Sequence, residues 1–194
     1  ALTFAVVDRI RRMYPDKEFY LFSAADHQRS AEEKSRYRFH VMPWRWDERS
    51  GFFLLGKWSA AYEWYRDIVE NAACFIDVSG HGLNGRWGFN FTADYLMNIA
   101  VARKYSIPFY VFTQSLGPFE HEFPFNGLSR FLLRRYLRYP QKIFAREREG
   151  YDDVRQFTED NVVQTADLVL QTRDYRTANI FQGPVDVRSV EIEP

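Results

Sequence analysis

Residues 74–88 read Cys-Phe-Ile-Asp-Val-Ser-Gly-His-Gly-Leu-Asn-Gly-Arg-Trp-Gly, and this stretch decides the fold. Its first half is a short apolar run broken only by Asp77, the pattern of a buried strand. Its second half holds four of the ten glycines of the chain, which makes residues 80–88 a loop with unusual backbone demands. A helix is expected over Thr92–Tyr105 and a second strand over Pro108–Thr113. The same alternation continues with a basic helix over Leu128–Tyr139, a strand over Lys142–Ala145, a helix over Glu149–Phe157 and closing apolar runs at Asn161–Gln164 and Leu168–Leu170. Upstream, strands are expected at Glu18–Ser23 and Phe39–Met42, an aromatic loop at 44–56 and a helix over Lys57–Asn71. Strands alternating with helices of this length predict an α/β, Rossmann-like domain with a mostly parallel sheet and helices on both faces.

The chain starts inside a helix that carries Leu2, Val6, Ile10 and Met13 on one stripe and stops at Pro15. The expectation is a Rossmann-like domain over residues 1–172 whose first strand precedes Ala1, followed by a tail or linker over 173–194.

Composition excludes several classes. The 194 residues carry 26 Lys+Arg against 26 Asp+Glu, so no generic basic face for nucleic acid is expected. A single cysteine, Cys74, excludes a disulfide framework and a cysteine-based metal site, and its apolar surroundings predict an inert buried thiol. The histidines at 27, 40, 81 and 121 show no metal-ligand spacing. No apolar run is long enough to span a bilayer. Two imbalances stand out: 18% aromatic residues, and 21 arginines against five lysines.

In an open parallel sheet the ligand crevice lies beyond the carboxyl ends of the strands. Three loops fall there. The first runs from Asp77 through Ser79, Gly80, His81 and Gly82 to Trp87. Gly80, Gly82 and Gly85 fit a G-x-G-x-x-G pattern, but no helix follows directly and no acidic residue occurs where a dinucleotide site needs one. A carboxylate, a hydroxyl, an imidazole and free loop amides would suit a small anionic or sugar ligand. Asp77 as a strand-end cap and His81 as a solvated loop residue stay open beside that reading. The second loop is Gln114-Ser115-Leu116-Gly117-Pro118, where Gly117-Pro118 turns the chain and leaves Gln114 and Ser115 at the rim. The third is Arg146-Glu147-Arg148-Glu149, where Arg146 at a strand end beside a helix start suits phosphate or carboxylate. Arg148 and Glu149 read as a surface ion-pair ladder. Arg130, Arg134, Arg135 and Arg138 share one helix face, solvated or facing a membrane, and Trp44 and Trp46 flank Arg45 in a loop.

The run CFIDVSGHGLNGRWG, then ARKYSIPFYVFTQSLGPF, IFAREREGYDDVRQF and NVVQTADLVL, in this order, resembles the polysaccharide pyruvyl transferase family. In that family a strand ending in Asp and a glycine-rich loop precede a Gln-Ser-Ile-Gly-Pro turn, an Arg-Glu motif opening a helix, and a strand leading into Ala-Asp-Leu. Here Leu116 stands in place of the isoleucine.

The resemblance implies a glycosyltransferase-B-like, two-domain architecture. It also implies transfer of pyruvate from phosphoenolpyruvate onto a saccharide, or a lipid-linked saccharide, of the cell surface, as a ketal. Phosphoenolpyruvate enters as donor substrate and no cofactor is expected. Implied further are a cytoplasmic location at the inner face of the membrane, peripheral membrane association, and a C-terminal domain without which this portion is inactive. The candidate catalytic residues are Asp77, which orients or deprotonates the acceptor hydroxyl, Arg146 on the donor's charge, and His81 as a spare acid or base. Ser79, Gly80, Gly82, Trp87, Gln114, Ser115 and Gly117 are the candidate substrate-binding residues. A nucleotide-sugar glycosyltransferase of the same layout and a non-catalytic sugar-binding module are the alternatives.

Overall fold

The computed structural model describes residues 2–43, 63–120, 124–172 and 174–184. The aromatic loop at 44–56, the start of the helix expected from Lys57, and His121 lie outside the described residues. The chain divides into two compact units, 1–45 with 172–194, and 46–171.

The second unit holds the stretch that opened the sequence analysis. Helix α4 (Glu63–Glu70) precedes strand β3 (Phe75–Asp77), helix α5 (Phe89–Lys104), β4 (Phe109–Gln114), α6 (Asn126–Tyr136), β5 (Lys142–Ala145), α7 (Arg148–Arg155) and β6 (Val162–Gln164). The strands form one parallel sheet in the order β3-β4-β5-β6, with Asp77 opposite Val111 and Gln114 opposite Ala145. The chain is therefore α/β with parallel strands. Phe109, Val111 and Thr113 of β4 are buried together with Gln114. Helix α5 is buried nearly all round, from Thr92 and Tyr95 to Val101 and Ala102, as an apolar helix inside an α/β layer should be.

The first unit contains α1 (Leu2–Met13), a two-stranded parallel sheet of β1 (Tyr20–Phe22) and β2 (His40–Met42), and the short helices α2 (Ala24–His27) and α3 (Ala31–Ser35). A capping box between Ser30 and Glu33 opens α3. Residues 174–184 belong to this unit: helix α9 (Thr177–Ile180) packs on α1. Phe4, Tyr37, Phe39 and Phe181 form an aromatic cluster with centroids 4.7–6.4 Å apart.

Two expectations are corrected. The buried face of α1 is not the Leu2–Val6–Ile10–Met13 stripe: Met13 is 56% exposed, while Ala5, Val6, Val7, Asp8 and Arg11 are buried. Polar residues enter that face because each finds partners. Burial raises the Asp8 carboxyl, but hydrogen bonds from Arg12 at 2.6 Å and Asn179 at 2.7 Å outweigh it and lower its pKa. Arg11 donates to the Arg38 carbonyl at 2.7 Å and lies over the Phe19 ring.

Second, the closing apolar run Leu168–Leu170 is the body of a helical turn, α8 (Leu168–Gln171). Its first amides are held by side chains, Leu168 N–H by Thr113 Oγ1 at 3.0 Å and Val169 N–H by Asp167 Oδ1 at 2.8 Å. Among the described residues the sheet ends at β6. Cys74 also departs from expectation: it is exposed. Partial desolvation nonetheless raises its pKa, the opposite of an activated nucleophile.

Candidate functional site

The carboxyl ends of β3, β4 and β5 carry two polar clusters. The first centres on Asp77, the last residue of β3. Its Oδ2 accepts from the Tyr95 hydroxyl and from Gln114 Nε2 at 2.7 Å, and its Oδ1 accepts from the Ser79 amide at 3.0 Å. Gln114 Oε1 accepts in turn from Ser79 Oγ at 3.0 Å and the Gly82 amide at 3.2 Å. Gln114 is fully buried, so its amide is satisfied at both ends by this cluster alone. Burial pushes the Tyr95 phenol well above its ordinary pKa, and the neighbouring Asp77 carboxylate adds to this. Tyr95 is therefore a fixed donor that holds its proton.

The second cluster centres on Arg146, immediately after β5. Its Nε donates to Glu147 Oε1 at 2.6 Å, one terminal nitrogen to Asp167 Oδ2 at 2.9 Å and the other to Ser115 Oγ at 2.5 Å. Ser115 Oγ donates its own hydrogen bond to Glu147 Oε1 at 2.9 Å. The hydrogen bonds from Glu147 and then Asp167 raise the Arg146 pKa. An arginine has five N–H donors in a fixed fork; three are engaged here and two remain. The side chain is 36% exposed.

The two clusters meet at the end of β4, because consecutive side chains of a strand point to opposite sides. Gln114 joins the Asp77 cluster and Ser115 joins the Arg146 cluster. Their backbones tie the loops together: Ser115 N–H donates to Gly80 O at 3.0 Å, Gly117 N–H to Leu83 O at 3.1 Å, and Gly85 N–H to Pro118 O at 2.8 Å. Glycine is required at two of these points. Gly117 has φ +72° and a Cβ there would run into the Asp153 carboxylate. At Gly85 a Cβ would lie 2.5 Å from the Glu120 carbonyl oxygen.

A family model described as polysaccharide pyruvyl transferase matches residues 1–187 of the chain. The chain belongs to the polysaccharide pyruvyl transferase family. No curated protein and no solved structure matches it. The Gln-Ser-Leu-Gly-Pro turn and the Arg-Glu motif lie side by side, and Gly150 admits the Leu116 backbone so closely that a Cβ would lie 2.9 Å from its carbonyl oxygen.

Of the residues singled out from sequence, Asp77, Ser79, Gly82 and Gln114 form one hydrogen-bonded cluster, and Ser115 and Arg146 the other. Gly80 and Gly117 join the loops through their backbones. His81 and Trp87 stand apart from both clusters as an exposed stacked pair 5.9 Å between centroids, with Trp87 54% exposed and Phe91 beyond it. The loop amides of Ser79, Gly82, Gly85, Arg86 and Gly88 are taken up within the protein. Arg148 pairs with Asp152 at 3.0 Å, the surface ladder expected of it. Sequence reading missed Tyr95, which looked like one more apolar position of a core helix, and gave Glu147 and Asp167 no task. Among the described residues no group of acidic, histidine and cysteine side chains could hold a metal. No described helix is long and apolar enough to cross a membrane.

Proposed function

We propose that this chain transfers pyruvate from phosphoenolpyruvate to a saccharide, with the Arg146 cluster on the donor and the Asp77 cluster on the acceptor. The observation that carries the reading is the Arg146 fork: two open N–H donors at a strand end, beside the Ser115 hydroxyl, in a chain of this family. Phosphoenolpyruvate offers a carboxylate and a phosphate, and a guanidinium suits either through paired charge-assisted hydrogen bonds.

In ketal formation two sugar oxygens bond to the donor's C2, the bond from C2 to the phosphate oxygen breaks, and C3 takes a proton. The sugar hydroxyls lose theirs to a base. Asp77 already accepts three hydrogen bonds, an arrangement suited to holding an acceptor hydroxyl in place rather than taking its proton. Ser79, Gly80 and Gly82 line that side. His81 against Trp87 is the acid or base candidate at the rim, and Trp87 offers a sugar a flat face. A glycosyltransferase-B-like layout and residence at the inner face of a membrane accord with this reading.

The test is donor binding. Arg146→Met should weaken phosphoenolpyruvate binding by about 10–100-fold, the range of a lost charged hydrogen-bond pair, measured by calorimetry. Arg146→Lys should recover only part of it. Wild-type affinity in Arg146→Met refutes the donor assignment. Unchanged kcat/KM for phosphate release in Asp77→Asn refutes the acceptor assignment. Thermal stabilisation by a nucleoside diphosphate but not by phosphoenolpyruvate would point to a nucleotide-sugar enzyme instead.

A further inference from the structure

The chain as a whole is neutral, yet residues 124–145 contain five basic residues and no acidic one. Most of this segment is α6 and the turn after it. At three-residue spacing, Phe125, Leu128 and Phe131 are 45%, 49% and 60% exposed. Beyond them an open groove of about 530 Å³ is lined by Arg134, Arg135 and Arg138, by Arg103 from the last turn of α5, and by Phe131 and Tyr139.

These arginines differ from others on the surface. Arg12, Arg29, Arg36 and Arg148 each pair with a carboxylate about one helical turn away. Among the described residues, none of Arg103, Arg134, Arg135 or Arg138 does. The helix dipole accounts for basic residues in the last turn of α6. It does not account for Phe131 standing in water beside them.

We propose that this face of the second unit docks on a bilayer containing anionic lipid. The groove receives lipid phosphates, and Leu128 and Phe131 enter the interface between headgroups and acyl chains. The charge argues for that occupant: four guanidinium groups with no carboxylate partner among the described residues complement an anionic surface, and flanking aromatic and aliphatic side chains supply the apolar half of an interfacial helix. The apolar and basic positions follow one another along a single helix, so both can meet a planar surface together. The inference is independent of pyruvyl transfer, and its test reads no activity.

The experiment is flotation of the purified protein with vesicles of phosphatidylcholine alone, or with about one-third phosphatidylglycerol. Binding is expected only to the anionic vesicles and should fall as salt screens the charges. Arg134→Gln should weaken partitioning roughly fivefold and the Arg134→Gln/Arg135→Gln pair roughly 25-fold, at about 1 kcal/mol per arginine. Phe131→Ser should weaken it by roughly tenfold through lost apolar burial. Arg36→Gln, in the first unit, should leave it unchanged. All these side chains are exposed, and circular dichroism checks that each variant folds. Absence of vesicle binding, equal binding to neutral vesicles, or full binding by the double variant overturns the proposal. So does stabilisation by inorganic pyrophosphate without vesicle binding, which would make the groove a site for a free anion.

Discussion

Replacing Gln114 with leucine tests whether the Asp77 cluster is held together as its geometry indicates. Leucine fills a similar volume, so the cavity cost is small. What is lost is the 2.7 Å hydrogen bond to the Asp77 carboxylate, worth about 1.5–3 kcal/mol for a charged acceptor. On the other side of the amide, the Gly82 N–H keeps Ser79 Oγ at 3.1 Å, so that loss is about 0.5–1 kcal/mol. The sum is about 2–4 kcal/mol. Urea unfolding followed by circular dichroism should show it, with Tm lower by about 6–12 °C for a 3 kcal/mol change in a chain of this size.

Gln114→Glu adds a pH signature. The new carboxyl faces Asp77 in a buried site, so its folded pKa is raised above the unfolded value of about 4.3. A raised carboxyl contributes stability below the unfolded pKa and loses it as pH rises through the folded one. This variant should be worst at neutral pH and recover towards wild type on acidification, as a protonated Glu donates to Asp77 where the glutamine did. The leucine variant should show no such recovery. A leucine cost below about 1 kcal/mol, or a glutamate variant flat in pH, refutes the network.

Gly85→Ala should destabilise by about 2–3 kcal/mol in the same urea assay, because its Cβ meets two backbone carbonyls, of Glu120 and Pro118, that cannot swing aside; a cost near zero would contradict the close lacing of the loops. Burial, then the neighbouring Glu120 and Asp152, raise the Asp153 carboxyl, so its ionised form weakens the fold at neutral pH. Asp153→Asn should stabilise by about 0.5 kcal/mol at pH 7, with the gain fading as pH falls through the raised carboxyl pKa and gone by about pH 4, the unfolded value, and a lower Tm at pH 7 would refute it.

The alternation of apolar runs and helices was enough to find the six strands of the described residues within a few residues, because parallel strands are continuous apolar runs bounded by turn residues. It failed where polar side chains replace backbone partners. Leu168–Leu170 has strand composition, but Thr113 and Asp167 take its first amides and start a helical turn. The α1 stripe was misplaced because periodicity ranks Asp8 and Arg11 as surface, and cannot see Asn179 or the Arg38 carbonyl waiting for them. In the site, loop residues were legible from their types and their place after strands. Tyr95 was not, since its task depends on a carboxylate 18 positions earlier in the chain.

The Gln114–Ser115 peptide joins two clusters by a single bond and is clamped on both flanks, Ser115 N–H to Gly80 O and Arg146 N–H to Gln114 O. Neither cluster can be re-aimed without dragging the other. Under the proposed function, a ligand held by one cluster and order in its neighbour are then linked quantities. If the clusters hold acceptor and donor as proposed, whatever free energy the acceptor lends to donor binding, the donor must return in equal measure to acceptor binding. Titrating each ligand in the presence of the other would read that shared term twice, and the two readings have to agree.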